Sequence, residues 1–196
     1  MKKNANKGFS LVELVIVIAI MTIVLGMLAA NLNFIGNSQA KSLANSIKTA
    51  VGRARIETMG KYDTYLYIYK SSVDNKYYKE VWKRSDQGEL KRDNRELLGK
   101  NKPTVKYHIF AEPDTTEYEL DGTRGLLIKF DRTNGKEVPE KMRPDSVTYK
   151  DEEGNNITTG ITGKETYSVL CDKIKVSFGT KEYEITIVPA TGKIHL

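Results

Sequence analysis

The chain has 196 residues, with 31 basic and 25 acidic side chains and a formal charge of +6. That length suits about one domain, and a charge so nearly balanced does not by itself argue for a nucleic-acid or membrane-surface function. A single cysteine, Cys171, excludes an intramolecular disulfide, the staple a secreted domain often uses; it reads as a small core residue.

Residues 1–8 are short and basic, with Lys2, Lys3 and Lys7. From Phe9 to Ala30 the only ionisable side chain is Glu13. As a helix this stretch would be about 33 Å long at about 1.5 Å per residue, enough for the roughly 30 Å hydrocarbon core of a bilayer. A carboxylate in such a run costs on the order of 3 kcal/mol at the centre of a membrane helix, and less near an end. A simple anchor has no use for it. A chain that assembles with copies of itself does, if a cation arrives on the neighbour. The nearest candidate is the amine that would appear on Phe9 if the chain were cut after Gly8.

Lys7-Gly8-Phe9-Ser10-Leu11-Val12-Glu13, followed by a hydrophobic run, resembles the type IV prepilins and the type II secretion pseudopilins. The resemblance implies that a prepilin peptidase cuts between Gly8 and Phe9 and methylates the new amine of Phe9. It implies that mature subunits then pack their N-terminal helices into a filament, each Glu13 facing the Phe9 amine of a neighbour. The expected partners are other pilin or pseudopilin subunits, the prepilin peptidase, an inner-membrane assembly platform and, before assembly, membrane lipid. The expected location is a single pass of the plasma membrane, then a cell-surface or extracellular filament. Loss of residues 1–8 would remove three lysines and no acid, halving the formal charge.

A secretory signal or a plain anchor would share the basic leader. Neither explains Glu13. The apolar run exceeds the roughly 7 to 15 residues of a signal core, and the pairs Ala30/Leu28 and Ala29/Met27 make poor cleavage sites. Many pilins of Gram-negative bacteria close a C-terminal loop with a disulfide. This chain departs from that pattern, which favours a pseudopilin-like or Gram-positive relative.

Beyond the apolar run, Gly26, Asn31, Asn33 and Gly36 lower helix propensity and mark a segment expected to bend or melt. Leu43, Ile47, Ala50, Val51 and Ala54 then recur at helical spacing, while Lys41, Lys48, Arg53 and Arg55 fall mostly on other faces. Gly60 is the expected stop. The division is a leader at 1–8, a membrane or filament-core helix at 9–30, an amphipathic half-helix at 31–60 and a β-rich domain at 61–196.

After Gly60 the period changes from 3.6 to 2. Residues 64–69 and 77–82 alternate and predict an antiparallel hairpin around a turn at 71–75. Asp86-Gln87-Gly88 breaks the pattern, and Glu96-Leu97-Leu98 is only a short apolar piece. Residues 105–110 and 125–130 predict two further strands, the second closed by Thr133-Asn134-Gly135. The stretch 139–163 is irregular. Residues 173–178 and 183–188 predict a terminal hairpin across Gly179-Thr180-Lys181, before a last turn at 190–193. The fold class is α+β: a long N-terminal helix, membrane-spanning in its first half, packed on an antiparallel sheet domain of about seven strands. The first resemblance makes it pilin-like.

Gly125 to Phe130, then Asn134-Gly135, then the ending Thr191-Gly192-Lys193-Ile194, look like the H-type minor pseudopilins, the GspH/FimT-like group. Lys193 stands where that group usually has arginine. The K-type tip pseudopilins lack the early glutamate, so Glu13 argues against that role.

Nothing in the sequence supports an enzyme, a metal site or a cofactor. His108 and His195 lie far apart and fit no ligand spacing. The run Asp151 to Asn156 matches no EF-hand loop. The second functional reading is a DNA-binding minor pilin acting in DNA uptake: Tyr65, Tyr67, Tyr69, Tyr77 and Tyr78 crowd one hairpin beside Lys70, Lys76, Lys79 and Lys83. It ranks below the view that alternating tyrosines cover half-buried strand faces.

Overall fold

The computed structural model describes residues 10–60, 62–84, 90–110, 112–113, 115–139, 141–142, 148–150, 156–158 and 166–196. One helix, α1 (Leu11–Gly60), precedes β1 (Asp63–Lys70), β2 (Tyr77–Arg84), β3 (Leu90–Gly99), β4 (Thr104–Ile109), β5 (Tyr118–Glu119) and β6 (Leu126–Lys129). Four short strands follow: β7 (Lys141–Met142), β8 (Thr148–Lys150), β9 (Asn156–Thr158) and β10 (Thr166–Tyr167). The chain ends in β11 (Cys171–Phe178), β12 (Lys181–Val188) and β13 (Lys193–His195). The architecture is α+β, with the helix packed on antiparallel sheets.

The strands form a first sheet in the order β3-β2-β1-β6 and a second in the order β13-β12-β11-β4-β5. Two small ladders, β7 with β10 and β8 with β9, lie between β6 and β11 in the chain. The second half of α1 lies across both larger sheets. Ala40, Leu43, Ala44, Ile47, Ala50, Val51 and Ala54 are buried on one stripe, at the three- and four-residue spacing that a core-facing helix needs. Opposite them stand Leu66, Ile68, Leu126 and Ile128 of the first sheet and Val105, Ile174, Val176, Ile185 and Ile187 of the second. Gly99 lets β3 approach closely: a Cβ there would stand 2.9 Å from Leu43 Cδ1.

Two expectations change. First, α1 runs unbroken through Gly26, Asn31, Asn33 and Gly36. Gly36 is buried, and a Cβ on it would stand 2.0 Å from the Phe178 ring. This glycine is a notch that seats the β11–β12 hairpin and does not mark a break. Second, residues 90–99 form a full strand of 10 residues and not a short apolar piece. Its charges hid the pattern, and cross-strand ion pairs satisfy them: Lys79 with Glu96 at 2.8 Å and Lys83 with Asp93 at 2.8 Å. β3 is also an edge, where charged side chains discourage further pairing. Among the described residues no helix is long and apolar enough to cross a membrane.

Candidate assembly segment

Gly8 and Phe9, the expected cleavage and methylation residues, lie outside the described residues. Glu13 lies within them, in the first turn of α1. The Ser10 backbone N–H donates to Glu13 Oε2 at 2.9 Å, and the Glu13 N–H donates to Ser10 Oγ at 3.2 Å. This reciprocal pair is a capping box, which satisfies two backbone donors that a helix start leaves open. The signal was in the sequence as Ser-x-x-Glu before an apolar run, and the carboxylate expected to face a neighbour's amine has a role within its own chain.

Behind that cap the helix surface is apolar and bare. Leu11 is 78% exposed, and Leu14, Ile18, Met21 and Leu25 are exposed with it. Phe34 and Ile35, near the point where α1 meets the sheets, are exposed as well. An uncovered apolar surface of this extent is the mark of a segment that works against lipid or protein.

Past Ile35 the surface changes. A groove of about 560 Å³ runs between α1 and the β2–β3 pair, lined by Ser38, Lys41, Asn45, Arg53, Lys79 and Glu96 among others. It is polar, and its exposed cations Lys41 and Arg53 belong to the helix.

The far face of the first sheet carries the tyrosines. Tyr65, Tyr67 and Tyr69 alternate on β1 and are buried with Trp82 and Leu127, while Tyr78 is half-buried. Tyr67 stacks on Tyr69 with ring centroids 5.1 Å apart. Fully buried Glu80 accepts from the Tyr69 hydroxyl at 3.0 Å and the Trp82 indole at 3.2 Å, with Arg95 3.9 Å away. Burial pushes the Glu80 carboxyl upward against these partners. Of the rings offered for stacking DNA bases, Tyr65, Tyr67, Tyr69 and Tyr77 are thus inside the protein and Tyr78 is half-buried. Lys79 and Lys83 are engaged in ion pairs across the sheet, and Lys83 also reaches Glu57 of α1 at 3.4 Å.

Cys171 is buried and free, and burial pushes its thiol up. His108 is buried, with Nδ1 2.6 Å from Asp172 Oδ1 and Nε2 donating to the Pro113 carbonyl at 3.0 Å. His195 is exposed on β13. Among the described residues no cluster of three or more His, Cys, Asp or Glu is placed to hold a metal ion. Asp151 to Asn155 lie outside the described residues.

Arg55, grouped with the outward-facing cations in the sequence, instead reaches two turns. Its Nε donates to the Gly135 carbonyl at 3.1 Å and its guanidinium to the Thr191 carbonyl at 3.1 Å. Both turns end on a left-handed glycine, Gly135 at φ 66° and Gly192 at φ 64°. Periodicity could not reveal this clamp, because it depends on where two distant turns meet.

The prokaryotic N-terminal methylation motif family matches residues 3–29. Among curated proteins and solved structures, none matches the chain. The N-terminal motif is of the prepilin type and supports a type IV pilin-like subunit, a structural protein that assembles with other such subunits after processing by a prepilin peptidase.

Proposed function

We propose that this chain is a minor pilin or pseudopilin of a type IV pilus-like or type II secretion filament. The single observation that carries the reading is the methylation motif at residues 3–29, joined without a break to a 50-residue helix whose first turns are bare and apolar. The leader is cut after Gly8, and the freed amine of Phe9 is methylated. Before assembly, residues 9–30 sit in the plasma membrane, and the described part of that run is exposed along its length. An assembly platform then moves the helix from lipid to neighbouring helices, and Glu13 pairs with the Phe9 amine of an adjacent subunit.

Membership of the H-type, GspH/FimT-like group is the finer proposal. It draws support from the two glycine turns quoted for that resemblance, which meet under Arg55. The closing stretch of the sequence therefore acts as one structural unit with the 131–135 turn.

The test is the mass of the N-terminal peptide of protein made in its own host. A chain beginning at Phe9 with one added methyl is expected. A chain beginning at Met1, or near Asn31, would undo the reading.

A further inference from the structure

Contacts along α1 fix which end of the sheets adjoins its bare first turns. Gly36 packs on Phe178, the last residue of β11. Leu43 then meets Gly99 at the end of β3, and Arg55 reaches the Gly135 and Thr191 turns at the opposite end. At the Phe178 end gather the β1–β2, β3–β4, β5–β6 and β11–β12 connections. Register and contact place them side by side: Tyr77 pairs with Gly99, Thr104 pairs with Ser177, and a Cβ on Gly122 would stand 3.0 Å from Ser72 Cβ.

This end is basic. Lys76, Lys100, Lys102, Arg124 and Lys181 are all exposed on it. Lys100, Lys102 and Lys181 make no ion pair among the described residues. The acids of the same turns are engaged locally. Asp74 accepts from the Tyr78 hydroxyl at 2.6 Å and lies 3.5 Å from Lys76 Nζ. Asp121 Oδ1 accepts from the Thr123 and Arg124 N–H groups at 2.7 and 2.8 Å. Glu182, next to Lys181, lies 3.7 Å from Lys175 Nζ. Apolar side chains stand uncovered beside the cations: Val73 in the β1–β2 turn is 88% exposed, and Phe34 of α1 is 74% exposed.

We propose that this basic end of the β domain rests on an anionic lipid surface before assembly, an inference that depends on residues 9–30 being the membrane segment. Along the unbroken helix, Gly36 lies beyond Ala30 by about 9 Å at about 1.5 Å per residue. The headgroup layer is roughly 5 to 7 Å thick on each side of the hydrocarbon. The β11–β12 turn seated on Gly36 therefore reaches the outer edge of the headgroups. That is within the ~8–10 Å over which charges act on one another in salt. Lipid phosphates suit the lysines and Arg124, and the boundary between headgroups and acyl chains suits Val73 and Phe34. Nucleic acid offers the same phosphates but no apolar layer. Each cation near an anionic surface contributes roughly fivefold to the attraction.

The test uses the full chain in lipid nanodiscs, with a fluorophore on Asn101→Cys in the exposed β3–β4 turn; Cys171 is buried, so the new thiol takes the label. Lipids carrying a nitroxide on the headgroup quench the fluorophore when the turn rests on the surface. Quenching should be at least about threefold stronger in discs holding about one-third phosphatidylglycerol than in phosphatidylcholine alone. Salt at about 0.5 M should abolish the difference, and so should Lys100→Gln, Lys102→Gln and Lys181→Gln combined. Equal quenching in the two lipids at low salt, or a difference that the triple variant keeps, overturns the proposal. Equal quenching that falls as more chains share a disc overturns it too and assigns this end to a second copy. Failure of the chain to enter discs of either composition is a separate result, which overturns the membrane reading of residues 9–30 and the proposal with it.

Discussion

The carbonyl oxygen of Gly135 lies 2.0 Å from where a Cβ on Gly192 would stand. Two turns separated by more than fifty residues in sequence are thus in backbone contact, and Gly192 also holds φ 64°, which L side chains rarely adopt. Gly179, in the β11–β12 turn, shares the left-handed backbone at φ 59° but has nothing within 4 Å of its Cβ position. The two positions separate backbone strain from crowding. Gly179→Ala should lose about 1 kcal/mol, the left-handed cost alone. Gly192→Ala should lose about 3 kcal/mol, because the carbonyl it meets belongs to backbone and cannot swing aside. Urea unfolding of both variants checks the difference; equal losses would mean that the turns are not in contact.

Arg55 binds the same two turns from the helix side. Replacing it with methionine keeps much of the stem and removes both hydrogen bonds, to Gly135 and Thr191. A loss of about 2 kcal/mol is expected for bonds from a charged donor. A Cβ at Gly192 would also stand 2.6 Å from Arg55 Nε, so the two substitutions damage one contact. The double variant should lose clearly less than the sum of the singles. Strict additivity would show that Arg55 and the turns act independently.

The sequence revealed elements wherever one chemical period persisted. Leu43, Ile47, Val51 and Ala54 announced a helix face, and each is buried. The β1–β2 and β11–β12 hairpins were legible because their apolar residues alternate. β3 was not, since Lys91 to Glu96 carry the sequence signature of a solvated loop, and the ion pairs of Asp93 with Lys83 and of Glu96 with Lys79 arise only once β2 lies alongside. The same blindness applies to buried polar groups. Nothing local marks Glu80, Glu137 or Arg55 as interior or clamping residues, because their environment is built by segments far away in the chain. In the assembly segment, Glu13 stood out by its isolation, whereas its hydrogen bonds with Ser10 were overlooked although their spacing was plain.

Buried tyrosines give the fold an alkaline limit. Tyr77 donates to the Pro103 carbonyl at 2.9 Å, and burial pushes its hydroxyl up to about 12. Tyr107, buried in the same core, is likewise pushed up to about 12. The ordinary tyrosine value is about 10, so the unfolded chain loses these protons first. Stability is intact below pH 10 and declines as pH rises towards 12, by about 2 kcal/mol for each such group. Tyrosinate absorbance and circular dichroism should therefore change together on base titration. In Tyr77→Phe the neutral-pH stability should drop by about 1 kcal/mol for the lost hydrogen bond, while the alkaline decline becomes shallower. All 11 tyrosines titrating near pH 10 with the fold intact would contradict this.

Glu13 caps its own helix, and the proposed charge pairing with a neighbour has to be separated from that role. Glutamine at this third helical position serves a capping box as glutamate does, but it carries no charge for the Phe9 amine. Alanine removes both. Ser10→Ala removes only the side-chain half of the cap and should lower helix stability by about 1 kcal/mol. If charge pairing governs assembly, Glu13→Gln and Glu13→Ala should be cut after Gly8 normally and both fail to enter filaments, while Ser10→Ala enters them. Pull-down of tagged variants with sheared filaments, beside immunoblots for leader removal, measures the two steps separately. Normal entry of Glu13→Gln together with failure of Glu13→Ala and Ser10→Ala would instead assign the residue to its own helix and remove the proposed pairing.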